Sequence, residues 1–306
     1  MTVKTLNITP SNKLSTDPIN AFLSALRSSM TRRAYSNDLN DLARFFGVQA
    51  GKELLNLEPE NIVAYRDSLI ERGQAALTVG RKLTTVRRLF SYAMRRGWVQ
   101  SNPAESQLVQ SPRRMIQKRT QGLTRNEAAM LLGSIQRNTL KNKRDYALLL
   151  VMLHHGLRRA EVASLRTSSI GTERNYVTLT IIGKGNKVRV HPVQEPVLNA
   201  TLDYLKADRR RLEMDSPLFC STRSLNALSV ERIAQIVIER SKAAGISKHL
   251  TAHSLRHSSI TAALDGGASL RRVSQFAGHS SPLTTMLYDL DRHNLDDSAA
   301  HIISYR

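Results

Sequence analysis

The segment from Ala277 to Leu290, AGHSSPLTTMLYDL, combines a glycine–histidine pair with a tyrosine nine residues after the histidine. The pair Gly278–His279 and the nearby Pro282 interrupt helical sequence, whereas LTTMLY favours a helix that carries Tyr288. A tyrosine hydroxyl has an ordinary pKa of about 10. It becomes a nucleophile only where it is held beside an electrophile whose negative charge is already neutralised. The segment is therefore suited to a tyrosine that attacks a phosphate.

Further side chains suited to phosphate chemistry are spread through the second half of the chain. Arg158 follows the helix break at Gly156 in GLRRAE, and His253 and Arg256 share one helical face in HSLRH. Lys184 lies in the tight turn GKGNK between two strand-like runs. Cleavage of a phosphodiester needs forked cations for the non-bridging oxygens, a nucleophile, and an acid for the leaving oxygen. Each residue alone has an ordinary structural explanation, but together they predict a metal-free phosphotyrosine reaction. The predicted catalytic set is Arg158, Lys184, His253, Arg256, His279 and Tyr288.

Two metal-binding patterns are incomplete in this sequence. The acidic run from Asp289 to Asp297 fails as a calcium loop, because Asn294 replaces its glycine and Ala300 its glutamate. Capping of a helix is the favoured use of these carboxylates. His253 and His257 are spaced like a zinc pair, but no glutamate of a zinc protease accompanies them. A phosphate-binding GxxxxGK[ST] loop is also missing, so we expect no metal, no ATP and no other cofactor.

Composition points to a polyanionic partner. The 306 residues include 45 Lys and Arg against 25 Asp and Glu, a formal net charge of +20. Nucleic acid is favoured over an anionic membrane surface, because the basic residues are spread along the chain rather than confined to one amphipathic helix. The sequence has no long apolar run and no signal-peptide pattern, and Cys220 is its single cysteine. We expect a cytoplasmic, nucleoid-associated protein.

Hydrophobic periodicity predicts a mainly α-helical chain with a small antiparallel sheet. Residues 1–16 are polar and are predicted to be disordered, and helical patterns fill residues 17–103. Residues 104–122 have two clustered arginines and no steady apolar period, which predicts a basic linker. Residues 123–306 are again mostly helical, with strand-like sequence in YVTLTIIGKGNKVRVHPV.

Basic residues in the first half, the linker and the strand region form a predicted DNA-tracking surface. An excess of cations with few carboxylates to pair them is typical of a surface that follows the phosphate backbone. The predicted DNA contacts are Arg81, Lys82, Arg87, Arg88, Arg113, Arg114, Lys187 and Arg189.

The ordered motifs GLRRAE, GKGNKVR, HSLRH and AGHSSPLTTMLY resemble those of the tyrosine recombinase, or phage integrase, family, most closely its Xer-like and simple integrase branch. The resemblance covers the chain from about Leu123 onward. The first half is similar only in style to that family's helical, SAM-like core-binding domain. The resemblance implies a mixed α/β catalytic domain, mostly helical, that follows the core-binding domain. The two domains would form a clamp on duplex DNA.

The resemblance also implies the role of each site residue. Arg158 and Arg256 would hold the non-bridging oxygens, His279 would hydrogen-bond the phosphate, and Glu161 would support the site.

The remaining three residues would carry the proton and nucleophile chemistry. Lys184 would protonate the leaving 5′-hydroxyl, His253 would assist proton transfer at the tyrosine, and Tyr288 would form a 3′-phosphotyrosine. Ala277 and Asp289 depart from the usual family residues, which concerns the subfamily more than the chemistry.

The implied function is site-specific DNA recombination, by integration, excision or resolution. Double-stranded DNA with inverted-repeat sites, a synaptic tetramer, a mobile element and an accessory or partner recombinase belong to this expectation. Two alternatives remain open: strand cleavage like that of a type IB topoisomerase, and a non-catalytic DNA-binding protein on an integrase fold. The C-terminal tail from Asp296 to Arg306 could pack on a neighbouring protomer or on its own domain.

Overall fold

The structure, a computed structural model, describes residues 17–112, 121–183, 185–279 and 281–289, with the backbone alone for residue 289. The chain divides into an N-terminal unit and a C-terminal unit, with the boundary between Gln117 and Lys118. Both are mainly helical, and the C-terminal unit carries a small antiparallel sheet, as predicted. Among the described residues, no helix is both long enough and apolar enough to cross a membrane.

Four helices and one short 3₁₀ turn build the N-terminal unit over its described residues, 17–112. Asp17 and Ser28 cap the first two helices through their side chains, and Gly47 ends the second in a left-handed conformation. Apolar side chains at helical spacing supply the core, in which Leu39, Leu42, Leu83, Val86 and Phe90 are buried. The helices are α1 (Pro18–Ser24), α2 (Ser29–Phe46), α3 (Pro59–Glu71) and α4 (Ala76–Arg95), and the 3₁₀ turn is Lys52–Asn56.

Two predicted DNA contacts on α4 are paired with carboxylates of α2 instead. Lys82 is buried, and its Nζ lies 2.6 Å from Oδ2 of Asp41. The hydroxyl of Tyr65 donates to the same oxygen at 2.8 Å, and burial followed by this bond raises the pKa of Tyr65. Arg81 pairs with the buried Asp38. The structure therefore argues against the predicted DNA contact of Lys82, because the charge of this buried lysine is already compensated inside the unit.

Arg87, a third predicted DNA contact, anchors the segment that follows α4. Its Nε donates to the carbonyl of Ala104 at 2.7 Å, and its Nη2 donates to the carbonyl of Val109 at 2.6 Å. Ala104 and Val109 are fully buried in the core of the N-terminal unit. The predicted linker began at residue 104, whereas Ala104 and Val109 still pack into the core of this unit.

The helices of the C-terminal unit surround a core centred on α6. Gly156 ends α6 in a left-handed conformation, as the predicted helix break required. The helices are α5 (Arg125–Gly133), α6 (Leu140–His155), α7 (Arg159–Ala163), α8 (Glu195–Ala207), α9 (Val230–Ala243), α10 (Ala252–Asp265), α11 (Leu270–Ala277) and α12 (Pro282–Asp289).

Three antiparallel strands, in the order β1-β2-β3, form the sheet in the described part of this unit. Strands β2 (Tyr176–Ile182) and β3 (Val188–Pro192) are the predicted pair around the GKGNK turn. Strand β1 (Ile170–Glu173) was not predicted, and it pairs with β2 through a turn at Arg174 and Asn175. Both turn residues have positive φ, as a tight hairpin requires, although neither is glycine.

We predict that Arg87→Ala destabilises the N-terminal unit, whereas Arg88→Ala does not. The first change leaves two buried carbonyls without a charged donor and should cost roughly 1–3 kcal/mol. Arg88 is exposed, and its replacement should change stability by less than about 0.5 kcal/mol. Denaturant unfolding followed by the fluorescence of Trp98 reports this unit, because Trp98 is the chain's single tryptophan. Equal midpoints for the two variants would contradict the anchoring role of Arg87.

Candidate active site

Arg158 and Glu161 form the first part of the site, at the start of α7. The backbone N–H of Arg158 donates to Oε2 of Glu161 at 2.8 Å, and its Nη1 donates to Oε1 at 2.8 Å. Glu161 is buried, while the side chain of Arg158 is 41% exposed. Burial by itself would raise the pKa of Glu161, but the backbone donor and the charges of Arg189 and Arg158 hold it below its ordinary value. Glu161 thus stays charged and orients a solvent-facing guanidinium.

Arg256 lies on α10 and is only 2% exposed. Its Nη1 donates to the carbonyl of Gly156 at 2.6 Å, and its Nη2 donates to the carbonyl of Ala277 at 2.5 Å. Burial lowers the pKa of Arg256 to about 10, with a further contribution from Arg158. The group is still a cation at neutral pH, held rigidly between the ends of α6 and α11.

The carboxyl-terminal end of α11 is where three guanidinium groups meet. Each donates to one of three successive backbone carbonyls, which we call the carbonyl end of α11. The bonds run from Arg189 to Phe276 at 2.7 Å, from Arg256 to Ala277 at 2.5 Å and from Arg158 to Gly278 at 3.1 Å. The last carbonyls of a helix lack intrahelical donors and carry partial negative charge. The carbonyl end of α11 therefore both attracts and orders the three cations.

His279 follows directly after this end of α11. Gly278 adopts a left-handed conformation with φ of 62°, and the N–H of His279 donates back to the carbonyl of Ser274 at 3.1 Å. The imidazole Nδ1 lies 2.8 Å from Oγ1 of Thr285 on α12. Burial, followed by the charges of Arg256 and Arg158, lowers the pKa of His279 to about 4. The ring is therefore neutral at pH 7.

Tyr288 lies on α12 with its ring between two histidines. It is 8% exposed and belongs to a small apolar cluster with Ile260 and Val273. Its ring centroid is 5.7 Å from that of His279, nearly parallel to it, and 4.8 Å from that of His257. Tyr288 also acts electrostatically on Arg256, where it raises the guanidinium pKa against the effect of burial. The phenol thus belongs to the same charged site as the arginines.

The histidines of α10 have different positions in the site. His253 reaches the surface, and partial burial followed by the charge of Arg256 lowers its pKa. His257 contacts Tyr288, and its Nδ1 lies 3.2 Å from Oγ1 of Thr261. The spacing in HSLRH relates His257 only to a zinc pair, and the contact with Tyr288 was not predicted because no sequence signal places α12 beside α10.

Other predicted site residues fall into three groups. Lys184, Arg113 and Arg114 lie outside the described residues. Lys187 is exposed, as a DNA contact requires. The side chain of Arg189 is 11% exposed and binds Glu161 and the carbonyl of Phe276, which argues against its predicted contact with DNA. Among the described residues, no group of three or more His, Cys, Asp or Glu side chains is arranged to hold a metal ion.

A stack of three rings packs behind Arg189. His191 on β3 lies between Phe276, with centroids 4.7 Å apart, and His155, with centroids 5.7 Å apart. Both histidines are more than nine-tenths buried. Burial lowers the pKa of His155 to about 3, with His191 contributing, and that of His191 to about 4, with Arg189 contributing. The stack is therefore neutral at pH 7.

Comparison with known proteins shows which family the chain belongs to. The model of the phage integrase family matches residues 121–294, and that of the phage integrase N-terminal SAM-like domain matches residues 19–97. The tyrosine recombinase XerC of Thermodesulfovibrio yellowstonii is 30% identical over 267 residues, which are 85% of each chain. The tyrosine recombinase XerD of Caulobacter vibrioides is 30% identical over 285 residues, 91% of this chain and 90% of the relative.

Solved structures share the fold. The XerH site-specific recombinase bound to palindromic difH substrate, a post-cleavage complex, has a TM-score of 0.70 at 20% identity, covering 89% of this chain and 79% of that one. A lambda integrase dimer bound to a COC′ core site has a TM-score of 0.71 at 17% identity, covering 94% and 79%.

Fold and sequence together define an enzyme of DNA strand exchange. The chain belongs to the phage integrase family and is a tyrosine recombinase, an enzyme of site-specific DNA recombination. The relatives give no support to the topoisomerase-like or the non-catalytic alternative.

We predict that acid destabilises the C-terminal unit through its buried histidines. The folded pKa values of His155 and His191 lie below the ordinary 6.5, so the unfolded chain binds protons at a higher pH than the folded chain. The contribution of these neutral histidines to the free energy of unfolding is therefore fully present above about pH 6.5 and is lost as the pH falls toward 4 and 3. Between pH 7 and pH 5 the loss is roughly 1–2 kcal/mol per histidine.

Labelling of the buried Cys220, the single cysteine, measures unfolding of this unit in denaturant at each pH. His191→Val should lessen the loss between pH 7 and pH 5, whereas replacement of the exposed His249 by Gln should preserve it. An unchanged pH dependence in His191→Val would refute the assignment.

Proposed function

We propose that this recombinase cleaves one DNA strand by attack of the Tyr288 hydroxyl on a backbone phosphate. The bond from phosphorus to the 5′ oxygen breaks, leaving a 3′-phosphotyrosine and a free 5′-hydroxyl. The observation that carries the proposal is the convergence of Arg158, Arg256 and His279 at the carbonyl end of α11, with the ring of Tyr288 against His279. Rejoining is the same reaction in reverse with the 5′-hydroxyl of a partner strand.

Phosphate binding is assigned to Arg158, Arg256 and His279. A guanidinium has five N–H groups, and Arg158 uses one bond to Glu161 and one to Gly278 for its own orientation. Its remaining donors are available to the non-bridging oxygens of a phosphate. Arg256 adds its charge from a deeper position, where low dielectric strengthens its field. Cations fixed before the reaction stabilise developing charge without reorganisation.

Proton transfer is assigned to His253 and Lys184. His253 has a lowered pKa and is neutral at pH 7, which suits it to accept the proton of the tyrosine. Lys184 would donate a proton to the 5′ oxygen as the bond to phosphorus breaks. The position of Gly183, the residue before Lys184, supports this role. A Cβ built on Gly183 would lie 3.5 Å from Oε1 of Glu161, so the start of the turn is close to the site. The N–H of Gly183 closes the turn by donating to the carbonyl of Lys187.

The reaction as proposed needs neither a metal ion nor ATP. Two arginines supply the positive charge that a metal would otherwise supply, and Lys184 supplies the proton. The phosphotyrosine bond keeps the energy of the broken phosphodiester, so rejoining needs no nucleotide.

DNA is the proposed substrate, and we assign Arg88 and Lys187 to its backbone, with Arg113 and Arg114 of the predicted linker. The net charge of +20 supports a polyanionic partner. One structural neighbour is a lambda integrase tetramer bound to a Holliday junction. We propose by analogy a tetramer on two inverted-repeat DNA sites, in the cytoplasm at the nucleoid. A partner recombinase, as the names XerC and XerD suggest, and residence on a mobile element are parts of the same proposal.

We predict that Tyr288→Phe binds DNA but forms no covalent adduct. The change removes the nucleophilic oxygen and keeps the ring that packs between His257 and His279. Denaturing gels of the protein with a nicked suicide substrate detect the adduct, and a gel-shift titration measures binding. Tyr176→Phe, at an exposed tyrosine of the hairpin, is the matched control and should form the adduct normally. An adduct formed by Tyr288→Phe would assign the nucleophile elsewhere.

We predict that Arg158→Ala slows adduct formation far more than Arg159→Ala. Loss of one preorganised donor to developing charge costs roughly 100- to 1,000-fold in rate. Arg159 is the next residue and is exposed, so its removal changes the net charge equally without touching the carbonyl end of α11. Single-turnover measurements at saturating DNA separate this effect from binding. Equal rates in the two variants would remove Arg158 from the catalytic set.

A further inference from the structure

Arg189 connects three parts of the C-terminal unit from the middle of β3. Its Nη1 donates to the carbonyl of Phe276 at the end of α11, at 2.7 Å. Its Nη2 lies 2.8 Å from Oε1 of Glu161, the same oxygen that accepts from Arg158. The Nη2 contact is an ion pair without the alignment of a hydrogen bond. Arg189 therefore fixes the carboxylate of Glu161 and the end of α11 at one point.

The guanidinium of Arg189 also packs against the turn that carries His279. A Cβ built on Gly278 would lie 2.7 Å from Nη1 of Arg189 and 2.9 Å from its Cζ and Nε. Gly278 has φ of 62°, a conformation that a side chain disfavours as well. Glycine at this position thus allows Arg189 to approach the backbone directly before His279.

The surroundings of Arg189 do not suit it to phosphate binding. Its side chain is 11% exposed, and its charge is paired with the carboxylate of Glu161. Arg158 shares that carboxylate but is 41% exposed, and Arg256, although more deeply buried, donates to two uncharged carbonyls. The imidazoles of His155 and His191 behind it are neutral at pH 7, so the carboxylate of Glu161 and the carbonyl of Phe276 are its polar partners. A cation with these contacts acts on the reaction through other residues.

We infer that Arg189 is a positioning residue, which sets Arg158 and His279 relative to each other by holding Glu161 and the end of α11 together. The inference rests on the proposed function, because Arg158 and His279 are the groups assigned to the phosphate. A purely structural arginine would affect the stability of the unit and leave the cleavage rate of folded molecules unchanged.

The first test compares Arg189→Gln with Arg166→Gln. Arg166 belongs to the same unit but pairs with Asp215 in an exposed ion pair, so its replacement controls for the lost charge. At saturating suicide substrate, we expect single-turnover adduct formation by Arg189→Gln to fall roughly 10- to 100-fold, as for a small misplacement of reacting groups. The DNA concentration for half-saturation should stay that of the wild type. A cleavage rate equal to that of Arg166→Gln would overturn the inference.

A second readout is independent of cleavage. Side-chain NMR of isotope-labelled histidine in DNA-free protein, assigned with His279→Gln, follows the pKa of His279. Arg189 is among the charges that lower this pKa, after burial, Arg256 and Arg158. Its removal should therefore raise the pKa of His279 and shift its resonances, while Arg166→Gln leaves both unchanged. Unchanged His279 signals in a folded Arg189→Gln protein would count against positioning.

Gly278→Ala tests the same contact from the other side and serves if Arg189→Gln does not fold. The added methyl displaces the guanidinium while every charge is kept. We expect Gly278→Ala alone to cleave more slowly with DNA binding retained, and cleavage by this variant at the wild-type rate would overturn the inference. Where Arg189→Gln folds, the loss in the double variant should be smaller than the product of the single losses. Multiplicative losses would show that the two residues act separately and would overturn the inference.

The two proposals fail in distinguishable ways. A wild-type chain that forms no adduct through Tyr288 would refute the proposed function, whatever the Arg189 variants do. A wild-type chain that forms the adduct, with Arg189→Gln equally fast and with unchanged His279 signals, would refute the positioning role alone.

Discussion

The site depends on three like-charged guanidinium groups held at three successive carbonyls at the end of one helix. Three cations so close together repel one another, and Arg158 and Arg189 contribute to the lowered pKa of Arg256. The partial negative charge of the α11 terminus and the carboxylate of Glu161 oppose this repulsion. Among the described residues the compensation is incomplete, because the one carboxylate of Glu161 faces three cations. The remaining positive charge is what a DNA phosphate would neutralise.

Burial and the same positive field together lower the pKa values of the histidines beside the arginines. His279 and His253 both have lowered pKa values, with burial first and the arginines next among the causes. Neutral imidazoles can accept a proton or hydrogen-bond an anion without adding to the charge repulsion. The arginine cluster therefore suits the proposed phosphate site in two ways, since it supplies positive charge and, together with burial, favours neutral histidines at pH 7.

The sequence predicted where helices end better than it predicted the surroundings of each charge. Glycine breaks at Gly156 and Gly278 were recognisable because they end helices in a conformation that glycine favours. Residue type does not reveal which way an arginine points, so Lys82, Arg87 and Arg189 were assigned to DNA although internal partners bind them. Strand β1 was not predicted because it is four residues long and the turn after it contains no glycine. The contact of His257 with Tyr288 depends on packing between α10 and α12, which no local pattern encodes.

The imidazole of His279 links Tyr288, the proposed nucleophile, to the groups proposed to bind the phosphate. His279 is fixed at its backbone by the end of α11 and at Nδ1 by Thr285, a fully buried residue of α12. Tyr288 lies three residues after Thr285. The ring of Tyr288 and the Thr285 hydroxyl, which contacts His279, therefore lie on the same turn of α12. A displacement of α12 must therefore disturb His279, and a displacement of the α11 end must disturb the tyrosine. Because Arg158, Arg256 and Tyr288 come from separate helices, this hydrogen bond and the ring contact beside it help to hold them at one site.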